Sequence, residues 1–136
     1  MNILEDLNII ITGDFCPTDE VEALCLNGNY DLIYNNVLPL LKNKDLSITN
    51  LESPLTSQVS PIIKAGKNLI ANPKCIDALK FADFDVVALA NNHILDQSAS
   101  GLRDTINSCK KAGIETVGAS FQKQDISKIL YVNKKN

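Results

Sequence analysis

Four polar side chains stand where a chemical site would need them. Asp14 follows the apolar run Asn8-Ile9-Ile10-Ile11-Thr12 across Gly13. Glu52 follows Leu46-Ser47-Ile48-Thr49 across Asn50-Leu51. Asn92 and His93 follow Val86-Val87-Ala88-Leu89-Ala90 across Asn91. Short apolar, β-branched runs of this kind read as strands buried on both faces. Whatever leaves the carboxyl end of a buried parallel strand lies on the rim where open α/β sheets bind their ligands. Carboxylate and amide oxygens beside an imidazole suit a hard or borderline divalent metal such as Mg, Mn, Zn or Fe. The chain has one histidine, so any imidazole used for proton transfer near neutral pH must be His93.

Each residue also has a purely structural reading. Asp14 after a glycine can hold a tight turn. Glu52 can cap a helix or stand in solvent, Asn91-Asn92 can be a turn, and Asp96 can cap a helix beginning near Ser98 to Gly101. The functional reading rests on repetition, because the same strand-then-polar pattern occurs three times on what would be one rim. Cys16, two residues after Asp14, offers a soft ligand, but carboxylate-rich sites have little use for a thiolate. Cys16, Cys25, Cys75 and Cys109 are scattered without a CxxC pair and read as reduced, small apolar residues.

The elements that must hold the rim alternate. Pro17-Thr18-Asp19-Glu20 reads as a helix start, and Gly28-Asn29 breaks that helix. Leu32-Ile33, Val37-Leu38 and Leu40-Leu41 mark a helical apolar face, disturbed by Pro39. The second strand ends at Ser53-Pro54. Leu55 to Asn72 reads as a long loop with a brief strand near Asn68 to Ala71, and long ordered loops are often functional. Pro73 to Phe81 and Gly101 to Ala112 read as helices, the second closed by Gly113. Glu115 to Gly118 and Ile126 to Val132 read as further strands. The pattern predicts an α/β domain with a largely parallel sheet flanked by helices on both faces. Val86 to Ala90 is expected at its centre, between the Ile9 and Leu46 strands. The 136 residues form one expected domain, 1–136, which ends on a polar tail as though cut at its C-terminal side.

Composition narrows the class. The net charge is −3 and the pI about 5.0, and no basic cluster or aromatic platform favours nucleic acid. Met1-Asn2-Ile3-Leu4-Glu5-Asp6 has no basic, apolar leader, and no apolar run approaches the roughly 20 residues of a membrane helix. A cytoplasmic location is the expectation, with no membrane segment.

Gly13-Asp14, Asn50-Leu51-Glu52-Ser53-Pro54-Leu55-Thr56, Ala90-Asn91-Asn92-His93-Ile94-Leu95-Asp96, Gly101-Leu102 with Thr105, Ala112-Gly113-Ile114 and Val117-Gly118-Ala119 together resemble the bacterial capsule-synthesis CapA family. That family is associated with poly-γ-glutamate capsule synthesis and is related to calcineurin-like metallophosphoesterases. The resemblance implies the N-terminal part of a multi-layer α/β sandwich. It implies Asp14, Glu52 and Asn92 as ligands of a divalent metal (Mn, Zn, Fe or Mg), with two ions in a full-length protein. His93 would donate a proton to the leaving group or bind a phosphate oxygen. Asp96 would orient His93, and Asn50 and Asn91 would support the rim. The sequence departs from the family pattern at Gln97-Ser98, where Tyr-Gly is common, and at Asp83, where a glycine usually ends the preceding helix.

The leading expectation is therefore a surface-polymer biosynthesis protein whose metallophosphoesterase-like site is incomplete in this chain. The chain by itself would be inactive, and its uncovered surface would invite self-association. One alternative is a non-catalytic binding or assembly component of surface-polymer synthesis. Another is a small phosphate- or nucleotide-binding α/β domain, against which the lack of a GxGxxG or P-loop pattern counts.

Overall fold

The computed structural model of the chain describes residues 6–122 and 129–133. Strands β1 (Ile9–Phe15), β2 (Leu46–Leu51), β3 (Val86–Ala88) and β4 (Glu115–Val117) pair in parallel, in the order β1-β2-β3-β4. Helices α1 (Asp19–Leu26), α2 (Tyr30–Tyr34) and α3 (Leu38–Lys42) lie between β1 and β2 in the chain. Helix α4 (Ile76–Phe81) precedes β3, and α5 (Ser98–Ala112) joins β3 to β4. The α/β class with a parallel sheet and flanking helices is the one the sequence predicts.

Two expectations about its layout change. The Val86 strand does not lie between the other two; β2 sits between β1 and β3, and β3 between β2 and β4. Consecutive strands that step one place in the same direction by right-handed crossovers carry all their helices on one face. The burial pattern fits that arrangement along β1 and β2, whereas in β3 both Val86 and Val87 are buried. Along β2, Ser47, Thr49 and Leu51 are buried, whereas Leu46, Ile48 and Asn50 are half-buried. Leu51, Leu55, Leu79, Val87 and Leu89 belong to a single core with Phe15, Leu41, Leu102 and Ile114. On the opposite face, Ile9 and Ile11 of the outer strand β1 are 50% and 73% exposed.

Several boundaries also move. Strand β1 continues through Gly13-Asp14 to Phe15 instead of ending at Thr12. Its register shows an extra residue, since Ile11 pairs with Ile48 and Asp14 with Asn50, which is a bulge at Thr12-Gly13. Only an isolated bridge, Leu55 to Ala71, stands where a brief strand over Asn68 to Ala71 is predicted. Helix α5 starts at Ser98, three residues before its expected Gly101, and ends as predicted on Gly113 at φ 76°. The short turn Pro73–Cys75 ahead of α4 is held by Asn72, whose side chain accepts from the Lys74 N–H, satisfying a donor that a helix start leaves free. The predicted strand Ile126 to Val132 falls partly outside the described residues, and 129–132 have no regular structure.

Val87 is fully buried in the core and pairs through β3 with both neighbouring strands. An aspartate there would be an unpaired buried charge, costing roughly 3–5 kcal/mol. Val87→Asp should therefore lower the urea midpoint enough to unfold much of the protein in buffer; a midpoint close to wild type would show that this strand is not in the core.

Candidate functional site

The rim is framed by amides. The bulge in β1 carries Asp14 onto the strand in register with Asn50. Asn50 donates from Nδ2 to Asp14 Oδ1 at 2.8 Å and accepts at Oδ1 from Asn91 Nδ2 at 3.1 Å. Asn91 Nδ2 also donates to the Leu51 carbonyl at 2.9 Å. Its Oδ1 accepts from the backbone N–H groups of His93 and Ile94, both at 2.9 Å, the local bonding that Asn uses to set a turn. Asp14, Asn50 and Asn91 thus tie the carboxyl ends of β1, β2 and β3 into one line. A further close approach fixes the same end: a Cβ on Gly118, at φ 93°, would lie 2.7 Å from the Ala90 Cβ.

The chemistry-bearing groups follow from that frame. Glu52 follows directly after β2, its N–H donating to the Phe15 carbonyl at 3.1 Å. Its Oε1 lies 3.9 Å from His93 Nε2, and both side chains are part-exposed. Asn92 is exposed and lines a different cleft, of about 500 Å³, with Ala90, Leu95 and Gly118. Asp14 is exposed at the mouth of a separate, mostly apolar hollow with Phe15, Tyr34 and Phe84. The structure thus brings Glu52 and His93 face to face, joins Asp14 to them through the amide frame, and leaves Asn92 on the outer side. Burial, together with a hydrogen bond to Glu52, pushes the Cys16 thiol up from its usual range, so Cys16 is no ready thiolate.

Behind the imidazole the site is closed. His93 Nδ1 lies 2.7 Å from Asp96 Oδ2. Asp96 has no exposed side-chain surface; Leu69 N–H donates to the same oxygen at 2.7 Å, and Lys64 Nζ bonds its other oxygen, Oδ1. Burial works to raise the Asp96 pKa, but the hydrogen bonds from Lys64, His93 and Leu69 outweigh it and hold the carboxyl below its usual value. Lys64 and Leu69 belong to the long loop that the sequence marks as irregular. Ser60 N–H donates to Gln97 Oε1 at 2.9 Å, Gln97 Nε2 donates to the Leu69 carbonyl at 3.0 Å, and Ile62 N–H donates to the Asp96 carbonyl at 3.0 Å. The loop is therefore bonded along its length to the 93–98 turn. Sequence reasoning passes over Lys64 because its partners lie about thirty residues away, with no spacing to announce them.

The sequence comparisons decide the family. Residues 8–136 match the family described as bacterial capsule synthesis protein PGA_cap. The chain belongs to the bacterial capsule synthesis protein family. It is 36% identical over 132 residues to the capsule biosynthesis protein CapA of Bacillus anthracis, covering 95% of this chain and 32% of that protein. It is 30% identical over 132 residues to the PGA biosynthesis protein CapA of Bacillus subtilis, covering 96% of this chain and 34% of that protein. The chain thus spans about a third of the length of these relatives.

The two departures from the family pattern both fall at left-handed backbone. Asp83 has φ 63° and Ser98 has φ 60°, a conformation costing about 1–2 kcal/mol for a residue with a Cβ. Ser98 offsets this through its hydroxyl, which donates to the Ser60 carbonyl at 2.7 Å. Asp83 bonds Lys44 Nζ at 2.8 Å through its carboxylate. Ser98→Ala keeps the strain and loses the bond, so it should destabilise by about 1 kcal/mol. Ser98→Gly loses the bond but relieves the strain, and should stay within about 1 kcal/mol of wild type. Thermal melts of the pair test this; an alanine variant as stable as the glycine one would mean the backbone there is unstrained.

Proposed function

We propose that the chain serves the synthesis of a capsule-type, poly-γ-glutamate surface polymer. We further propose that its strand-end rim is one part of a metal-dependent, phosphoesterase-like site. The observation that carries the second statement is the facing pair of Glu52 Oε1 and His93 Nε2, held on the same amide frame as Asp14. The family names of the relatives support the first.

In this proposal the donors present are one part of a metal centre. Among the described residues no three His, Cys, Asp or Glu side chains gather closely enough to hold an ion. In the proposal, Asp14, Glu52 and Asn92 are this chain's contribution to the ligands, and the longer relatives have room for the rest. A bound divalent ion, or a pair, would supply a polarised phosphoryl oxygen and a nucleophilic hydroxide. The chain's own part is to present His93 Nε2 to the rim for proton transfer, with Asp96 and Lys64 closing the site behind the ring.

On this reading the described site binds metal weakly and does not turn over alone. Purified chain given Mn or Zn and a generic aryl phosphate should show no hydrolysis above its His93→Ala variant. Strong metal-dependent turnover that vanishes in the variant would show the site to be complete. A full-length relative that binds polymer or assembly partners but never hydrolyses would favour a purely assembling role.

We also propose that the chain self-associates through the open sheet face. Among the described residues β1 is an outer strand, and its Ile9 and Ile11 side chains stand exposed on the sheet face, apolar surface of the kind that invites association. Sedimentation velocity should show dimers or larger species that Ile11→Lys dissociates; a monomer at high concentration would refute this. Among the described residues no helix is long and apolar enough to cross a membrane. The cytoplasmic location expected from the N-terminal sequence is part of the proposal, and cell fractionation tests it.

A further inference from the structure

We infer that residues 129–133 form a displaceable strap across the second face of the sheet. Seated, the strap leaves only the β1 end of that face open to a second copy of the chain; displaced, it uncovers a continuous apolar surface from β1 to β3. The inference rests on the self-association proposed above, and its test separates the two.

The strand register lays out what the strap crosses. Residues in register on parallel strands share a face of the sheet, as do residues two apart on one strand. Ile11 pairs with Ile48, Ile48 with Val86 and Val86 with Glu115, while Ile9 pairs with Leu46. This row stands on the side opposite Val87 and Leu51, which belong to the core under the helices. Exposure along it is uneven. Ile11 is 73% exposed and Ile48 half-buried, yet Val86 is only 3% exposed although it is no member of that core. Flanking strands cover the sides of a side chain that stands up from a sheet, not its top, so Val86 has a roof that the helices do not supply.

The 129–133 segment is placed to supply it. Val132 lines a hollow of about 400 Å³ with Val86 and Glu115, and another of about 360 Å³ with Ile9 and Leu46. Ile129 and Leu130 line a third, of about 220 Å³, along β4 from Glu115 to Val117. The segment therefore runs from β4 past β3 to β1 and β2. Its side chains alternate: Leu130 is half-buried and Val132 38% exposed, against 68% for Ile129 and 80% for Tyr131. That is an extended piece with one side to the sheet. Among the described residues it takes part in no regular strand and no hydrogen bond, so apolar contact is what seats it. Segments held without backbone bonding belong to the low-stability end of a fold and open first. Lifting this one would join Val86, Ile48 and Leu46 to Ile9 and Ile11, the kind of contiguous apolar patch that marks an association surface.

Val132→Asp tests the strap, because the Val86 hollow is also lined by Asp83, Asp85 and one base, Lys80, and an added carboxylate there is repelled. Tyr131→Asp is the control, with the same charge on the outer side. In dilute, methyl-labelled protein a soluble paramagnetic agent broadens the signals of exposed methyl groups. Those of Val86 should stay sharp in wild type and Tyr131→Asp and broaden in Val132→Asp, while those of Val87 stay sharp in all three and report that the domain is folded. Sedimentation velocity should show Val132→Asp associating at a several-fold lower concentration than wild type, with Ile11→Lys in the same chain reversing the gain. Should Val132→Asp fail to fold, Val132→Ser carries the same comparison. Val86 signals as sharp in Val132→Asp as in wild type would overturn the strap. Val86 exposed with association no stronger than wild type would overturn its limiting role. A wild type that stays monomeric refutes association through the β1 end alone: dimers of Val132→Asp would then still support the strap, and a monomeric Val132→Asp would sink it.

Discussion

A buried carboxylate sets the terms for this site. Asp96 has no exposed surface, and an isolated ion in that position would be disfavoured by several kcal/mol. It is tolerated because three donors of different origin converge on it: an ammonium and a backbone N–H from one loop, and a ring nitrogen from its own turn. The cost of the charge is thereby turned into a constraint. The 60–69 stretch cannot leave the turn without exposing or orphaning Asp96, and His93 cannot rotate without losing its partner. A loop of that length without regular structure would otherwise lose much entropy on ordering. Its bonds to Gln97, Ser98 and Asp96 explain why it is ordered at all.

The sheet supplies the other half of the constraint. With the strands in sequence order, all carboxyl ends point the same way, and every departing loop begins on one rim. Among the described residues, the second face is left exposed at its β1 end, where Ile9 and Ile11 stand. Site and exposed β1 end thus sit on the same parallel sheet, in which β1 is the outer strand. The rim needs only parallel strands, while the placing of helices reflects that every crossover steps in the same direction.

How much of this could be read from the sequence follows the range of the interactions. The three apolar runs announce their strands, because a buried strand is a local pattern. The polar residues after them announce a rim, since strand direction is implied by the alternation with helices. Strand order is not local: nothing in Val86 to Ala90 says that β2 and not β1 lies beside it. The bulge at Thr12-Gly13 is equally silent, although it is what places Asp14 opposite Asn50. Lys64 is the clearest case. It is one lysine in a polar loop, and its meaning lies in Asp96, thirty-two residues on. Ser98 is an intermediate case, because a residue where glycine is common raises the question of positive φ, and only coordinates answer it.

The choice of amide over carboxylate at Asn50 and Asn91 has a physical logic of its own. Asp14 and Glu52 already place two negative groups on the rim, and Asp96 adds a third behind it. An aspartate at position 50 would set a carboxylate against Asp14 Oδ1 at hydrogen-bonding distance, where two like charges cannot both stay ionised without a large penalty. An amide offers a donor to Asp14 and an acceptor to Asn91 at once, so the frame transmits position along the strand ends without adding charge. At Asn91 the acceptor must receive two backbone N–H groups while the donor reaches Asn50 and Leu51. An ionised carboxylate could accept but not donate, and the link to β2 would break. The frame therefore fixes where Glu52 and His93 meet, while the charge at that meeting point is left to Glu52, Asp96 and Lys64.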